Sequence, residues 1–364
     1  MKKIFLCLML ISVLFLTGCG KLDDKKIKDN FVKEIENLKS YYLEGELNLT
    51  NNDDNYKYNV EVSFSKDDLF KVVLTNKNNN YEQTILRNKE GVYVITPALN
   101  KTFKFQSEWP YNNSQSYLLQ SVANDLKNDP EYKFTQKDKN YIFTTKTNYP
   151  NNPNYTKQNI ILDENNNLKR VEVLDDKDVS YIVFEVKEID KKATFDDDYF
   201  ELSSQITEEE QNKVQNDKNE SNKEKDKTTN DDTSKEDIPN KEETETSNAT
   251  IEEALFPLYL PENTALSNKE TIDTTNGQRV IMTFSGDNPF ILVQETVSKE
   301  EELTIVPTYG EPYLLIDTVG SLTDMSYTWT SNGIEYYIVS DVMETKELLE
   351  VAKSINVVSV ISEK

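Results

Sequence analysis

Long segments in which apolar and polar residues alternate constrain this chain more than any other feature. Between Tyr56 and Phe64 every second residue is aromatic or β-branched, and the residues in between are Lys, Asn, Glu and Ser. A period of two is typical of strands with one buried and one solvated face. Similar segments recur at short intervals, separated by Asn- and Asp-rich turns such as 51–55 and 163–167. The pattern predicts an antiparallel meander of about eleven strands between residues 41 and 189.

Two segments with helical spacing accompany the meander. The first precedes it and consists of Ile27, Phe31, Ile35 and Leu38. The second lies midway, at 117–126, and ends before Pro130. Because long antiparallel strands with one apolar face curl, we expect the helices to cover the concave side of the sheet. The predicted fold class is α+β, with residues 27–203 forming a curved, unclosed half-barrel.

Residues 249–364 are predicted to form a small acidic α+β domain. Thr250 and Glu253 have the spacing of a capping box, which predicts a short helix there. Strands are expected at 279–284, 290–295, 303–306, 313–318, 326–330 and 334–340. A closing helix from Thr345 to Ile355 has its apolar residues on one face.

A charged segment, 204–248, joins these two units. It is rich in Glu, Lys, Asp, Asn, Ser and Thr, and it contains no aromatic residue. Such a composition cannot bury enough apolar area to offset the entropy of ordering, which predicts a disordered linker. We expect it to tether the two units without fixing their relative geometry.

The first residues have the form of an export signal. Two lysines precede an apolar run over 4–16, which is too short for a permanent membrane span. The sequence Leu16-Thr17-Gly18-Cys19 at its end resembles the lipobox of bacterial lipoproteins. The resemblance implies removal of residues 1–18 and a diacylglyceryl group on Cys19, whose two acyl chains anchor a protein stably. We therefore expect the extracytoplasmic face of the cell membrane as the location, with 19–26 as a short tether. An ordinary signal with an incidental cysteine is the alternative.

The composition excludes several classes of chemistry. The chain of 364 residues has no histidine and two cysteines, Cys7 inside the signal and Cys19 at its end. His-ligated metals, thiolate zinc sites and the Ser-His-Asp triad are therefore excluded, and we predict no catalytic residue, metal site or cofactor.

The acidic run 196–198 is expected to be a solvated loop, with calcium binding as the alternative. The net charge of −24 argues against nucleic acid as a partner and leaves a cationic partner as an alternative to simple solubility.

The first domain resembles the LolA/LolB/RseB-like family of lipoprotein carriers and sensors. It shares the leading helix, the meander with a helical interruption, the strand-turn-strand segment 91–101 and the closing segment 179–200. An anchored, Asn- and Lys-rich form with an acidic linker is similar to Firmicute sporulation and germination lipoproteins. The second domain, through 259–261 and 329–333, resembles an uncharacterised domain of such extracytoplasmic proteins. The lipid anchor argues against the shuttling role that soluble members of the family have.

The resemblance implies a ligand groove on the concave face. A groove for an acyl chain or an apolar peptide would be lined by Leu43, Leu47, Leu49, Val60, Val62, Phe64, Val72, Leu74, Trp109 and Tyr117. Plain core packing is the alternative, because such strands need an apolar face in either case. The segment 109–111 could gate this groove or cap the core, and Trp329 is expected in the core of the second domain.

These observations favour a binding protein over an enzyme. One hypothesis is a lipid-anchored lipoprotein whose half-barrel binds an apolar ligand, such as an acyl chain or a lipoprotein, or scaffolds an envelope protein. The alternative is a sensor or regulatory lipoprotein that acts on a membrane or cell-wall protein through residues 249–364. Hydrolysis of peptidoglycan or polysaccharide by paired carboxylates is a third hypothesis, although no carboxylate pair stands out.

Overall fold

The computed structural model describes residues 23–51, 54–205, 250–275, 277–297, 299–300 and 303–355. The predicted signal peptide (1–18), the lipidation residue Cys19 and almost all of the predicted linker (204–248) lie outside these residues. Across the ranges described, no helix is both long enough and apolar enough to cross a membrane.

The first domain contains the predicted helices and the predicted meander. A helix, α1 (Asp24–Asn37), is followed by six strands: β1 (Ser40–Asn51), β2 (Asp54–Ser65), β3 (Leu69–Asn76), β4 (Glu82–Asn88), β5 (Gly91–Thr96) and β6 (Lys101–Phe105). After the second helix, α2 (Leu119–Asn128), come β7 (Lys133–Lys137), β8 (Asn140–Lys146), β9 (Lys157–Leu162), β10 (Leu168–Leu174) and β11 (Ser180–Asp190). Neighbouring strands pair antiparallel, and β1 pairs with β11, so one continuous sheet runs from β6 to β7. The predicted α+β half-barrel is confirmed.

Register places the apolar residues of successive strands on one face of this sheet. A row of directly paired residues crosses five strands: Leu43, Val62, Val72, Ile85 and Val94. The side chains of α1 and α2 pack on this face and share one core cluster with it. The α1 helix begins where the Asp23 carboxylate accepts a hydrogen bond from the Lys26 backbone N–H at 3.1 Å. The apolar residues of both helices thus meet the concave side of the sheet, as the spacing predicts.

The second domain is a seven-stranded sheet with one helix. Its strands are β12 (Thr264–Thr274), β13 (Gly277–Gly286), β14 (Phe290–Thr296), β16 (Glu311–Leu314), β17 (Val319–Leu322), β18 (Ser326–Ser331) and β19 (Ile334–Val339). Their order is β12-β13-β14-β19-β18-β17-β16, and α3 (Thr345–Lys353) packs on one face. Trp329 stacks between Tyr327 and Tyr336 in this core, with ring centroids 5.1 and 5.0 Å apart.

Two local predictions for the second domain are wrong, and one predicted strand lies in the other sheet. No helix begins at Thr250, where the chain is irregular. The expected strand 313–318 is instead the end of β16, a turn and the approach to β17. The expected strand at 303–306 exists as β15 (Thr304–Thr308), but it belongs to the sheet of the first domain.

Strand β15 joins the two domains. It pairs in parallel with β6, from Thr304 opposite Lys101 to Thr308 opposite Phe105, and it makes the large sheet twelve-stranded. Just before it, the Asn100 side-chain amide donates to the Glu300 carbonyl at 2.7 Å. The expectation of two units without a fixed geometry is therefore wrong, because paired main chain connects them directly.

Candidate binding groove

The predicted groove residues lie together on the concave face, and most of them are fully covered. Nine of the ten are buried, with Leu43, Val62 and Val72 having no exposed surface, and Leu49 is partly buried. The covering groups are α1, α2 and the segment 107–118. The greater part of the concave face is thus packed core.

Trp109 belongs to this packing. It is 1% exposed and meets Phe70 edge to face, with ring centroids 6.1 Å apart. The Arg87 guanidinium donates to the Trp109 carbonyl at 2.7 Å and pairs with the Asp68 carboxylate. Tyr111, two residues on, is exposed. The tryptophan thus caps the core, while the tyrosine faces solvent.

A hairpin from the second domain covers part of the remaining concave face. It consists of residues 314–319, the turn that connects β16 to β17, and we call it the 314–319 hairpin. Ile316, Thr318 and Val319 in it are buried, and Val319 joins the core cluster of the first domain. The groove that the sequence predicts therefore has an occupant from the same chain.

Polar side chains of the sheet bind the main chain of this hairpin. The Gln83 carbonyl oxygen accepts from the Val319 N–H at 2.7 Å and from the Thr318 hydroxyl at 3.0 Å. The Gln83 amide nitrogen donates to the Val319 carbonyl at 3.2 Å. The Tyr58 hydroxyl donates to the Ile316 carbonyl at 2.7 Å. One glutamine thus satisfies both main-chain groups of Val319, as a neighbouring strand would.

An unfilled cavity lies on each side of the hairpin. The smaller, of about 200 Å³, is lined by the predicted groove residues Leu47, Leu49 and Tyr117, and by Leu314 and Ile316 of the hairpin, among others. The larger, of about 340 Å³, is lined mainly by the following residues: Gln83, Val94, Phe103, Phe105, Val306, Tyr309, Val319, Thr328 and Trp329. The hairpin thus divides one longer groove into two parts.

The electrostatics of the groove suit binding rather than catalysis. Burial raises the pKa of Asp317 at the hairpin tip, whose carboxylate accepts from the Ser331 hydroxyl at 2.5 Å. Burial, with the nearby charge of Asp317, also raises the pKa of Tyr58 well above its ordinary value. At the rim of the smaller cavity the charge of Lys353 is paired with Glu350 at 2.9 Å. Buried hydroxyls with raised pKa values stay protonated and donate hydrogen bonds, and they are poor nucleophiles.

Metal binding finds no support in the part of the chain that the structure describes. No group of three or more potential ligands lies close enough together there to hold an ion. The acidic run 196–198 is exposed in an irregular loop.

The sequence alone did not predict the contacts of Gln83 and Tyr58 with the 314–319 hairpin. The available signal was Gln83 itself, a polar residue at an inward position of β4, two residues before Ile85. An amide at such a position needs partners, because an unpaired buried amide is costly. The sequence does not say that residues more than two hundred positions later supply them.

An open antiparallel sheet curled around two helices, with a groove on its concave face, is the half-barrel that the sequence predicts. No family model matches the chain. The sporulation protein YdcC of Bacillus subtilis (strain 168) is 32% identical over 357 residues, which are 97% of this chain and 97% of that protein. The chain therefore belongs to the same family as YdcC. The predicted resemblance to sporulation proteins is confirmed by this relative.

The solved structures that match the chain are more distant. The MucA/MucB complex of Pseudomonas aeruginosa matches at 10% identity over 92% of this chain and 98% of the matched chain, with a TM-score of 0.32. A LolA superfamily protein of Nitrosomonas europaea matches at 9% identity over 47% of this chain and 96% of its own, with a TM-score of 0.27. Scores this low carry no conclusion about function.

Proposed function

We propose that this chain is a non-catalytic lipoprotein that is anchored outside the cytoplasm through Cys19 and scaffolds an envelope protein. The covered concave face carries this proposal. A carrier of acyl chains needs an open apolar groove, whereas α1, α2, the segment 107–118 and the 314–319 hairpin cover most of this face. The residue types support a binding role, since the whole chain has no histidine.

The anchor is tested by Cys19→Ser. We expect the unsubstituted protein in the membrane fraction with a mass increase of one diacylglyceryl group, and the variant released in soluble form. Cys7→Ser is the matched control and should leave the mature protein unchanged, because the lipobox does not include it. Equal membrane retention of both variants would contradict the anchor.

The scaffold is tested by site-specific photocrosslinking in cells that make the protein. Tyr309 is 77% exposed at the rim of the larger cavity, so a crosslinker there samples the surface next to the groove. Leu258 is 79% exposed and does not line either cavity, so it serves as the control position. A scaffold predicts one discrete protein adduct from position 309 and none of the same mass from position 258. Adducts with lipid alone would contradict it.

Acyl-chain binding remains a second candidate because of the larger cavity. Its volume of about 340 Å³ lies at the lower end of ligand pockets, and Val94, Phe103 and Phe105 give it an apolar wall. A scaffold predicts no saturable binding of a fluorescent fatty acid to the purified protein at micromolar concentration. Saturable binding that Thr328→Phe abolishes by narrowing the cavity would establish a carrier instead.

A further inference from the structure

The chemistry of the groove floor is that of a surface built for a polypeptide. An acyl chain offers no hydrogen-bond partner, and a buried amide left without one costs about 1–3 kcal/mol. Gln83 is 5% exposed and directs its carbonyl oxygen and its amide nitrogen at the two main-chain groups of Val319. Tyr58 donates to the Ile316 carbonyl. Recognition through main-chain groups is how sheets accept added strands, and it leaves the side-chain sequence of the ligand only loosely defined.

The hairpin fills only part of this floor. Cavities of about 200 and 340 Å³ flank it, and their walls include residues of the same concave face. Ile85 lines the smaller and Val94 the larger, and these two residues are directly paired between β4 and β5. A segment longer than the hairpin would therefore bury apolar surface that the hairpin leaves uncovered.

The hairpin is also an imperfect ligand. Asp317 at its tip is partly buried, and its carboxylate accepts from two neutral donors, the Ser331 hydroxyl and its own backbone N–H. Removing a carboxylate from water without a cationic partner is unfavourable. A segment with a neutral residue at this position would bind the same floor more tightly.

From these contacts we propose that the concave groove binds an extended segment of a partner protein, with an aliphatic side chain in the place of Val319, and that the 314–319 hairpin occupies the groove until such a segment displaces it. The proposal rests on the scaffold function and names the surface and the partner chemistry. Within one chain the hairpin has an effective concentration on the order of millimolar, so displacement requires a segment that uses the flanking cavities.

The test uses the full mature protein in detergent and a fluorescent synthetic peptide with the sequence of residues 311–322. In the Val319→Asp variant the internal hairpin no longer fits the apolar floor, while Gln83 and Tyr58 are unchanged. We expect this variant to bind the peptide saturably, at least tenfold more tightly than the unsubstituted protein, as measured by fluorescence anisotropy. The same peptide carrying Val319→Asp is the matched control and should not bind.

Two further variants make the outcome decisive. Adding Gln83→Leu to Val319→Asp should abolish binding, and binding that survives it would place the peptide elsewhere and overturn the proposal. If Val319→Asp does not fold, Ser331→Ala replaces it, because this change weakens the hairpin without touching the floor. A folded variant that does not bind the peptide overturns the proposal. Photocrosslinking from position 309 tests the scaffold function separately from this peptide experiment. A protein adduct from position 309 without peptide binding would overturn the groove proposal and leave the scaffold function in place.

Discussion

Replacement of Gln83 by leucine tests the contact between the domains most directly. The leucine side chain has a similar bulk but no polar atom, so three hydrogen bonds to the hairpin, at 2.7, 3.0 and 3.2 Å, are lost. A net hydrogen bond contributes about 0.5–1.5 kcal/mol, and a buried main-chain group left unpaired costs about 1–3 kcal/mol. We expect docking of the hairpin to weaken by about 2–4 kcal/mol. At 1.4 kcal/mol per factor of ten, this is roughly a 30- to 700-fold fall in the ratio of docked to undocked protein.

Hydrogen exchange measures this change at the affected amides. Exchange of residues 311–322 should accelerate by that factor, while strands β13 and β14 of the same domain keep their protection. The control is Gln158→Leu, which removes a similarly buried glutamine that donates to Asp125 at 2.8 Å inside the first domain. It should not accelerate 311–322 selectively. Unchanged exchange of 311–322 in Gln83→Leu would refute the assignment of the hairpin contact to this residue.

Three further outcomes follow from the same packing. Because burial raises the pKa of Asp317, its contribution to docking is complete below the unfolded value of about 3.9 and is lost as pH rises through the raised value. Asp317→Asn should remove this loss from the exchange of 311–322 above pH 4, and an unchanged pH dependence would contradict it. Gly45→Ala places a Cβ against the buried Phe184 ring and 2.7 Å from the Glu185 carbonyl oxygen, and it should cost about 1–3 kcal/mol in urea unfolding. An unchanged midpoint would show that the ring and the neighbouring main chain shift to accept the Cβ. Leu43→Ala removes a fully buried side chain beneath α1 and α2 and should cost about 2–5 kcal/mol in the same assay, with a smaller loss indicating collapse of the site.

The half-barrel was predictable because its information is local. Each strand from β1 to β6 pairs with its neighbour along the chain, and alternation specifies which face of each strand is buried. The turns between them are short and rich in Asn and Asp, and these residues tolerate the positive φ found at Asp67 and Asn80. Helix α1 likewise needs only its own apolar stripe and an Asp N-cap.

The covering of the groove was not predictable, because it depends on contacts between residues far apart in the sequence. The ten predicted lining residues are on the correct face, but an apolar face looks the same in a sequence whether a ligand, a helix or another domain covers it. The pairing of β15 with β6 joins residues about two hundred positions apart, and parallel pairing requires no turn that a pattern would reveal. Pro307 within β15 makes the segment look like an edge strand, which it is. Whether the ten residues line a ligand site stays a prediction.

The edges of the large sheet limit how the hairpin can leave. Unpaired strand edges invite association with other chains. The large sheet ends on one side with the short, Lys-bearing β7 and on the other with β15, which pairs with β6. Displacement of the whole second domain would uncover β6, whereas displacement of β16 and β17 alone keeps β15 in place. These two strands lie at the end of their own sheet, and Gly310, at φ +90°, lies with Tyr309 between β15 and β16. The smallest displacement that opens the groove is therefore removal of this edge pair about Gly310, which keeps β6 covered by β15. Increased exchange of β16 and β17 on peptide binding, with β15 still protected, is the signature of that path.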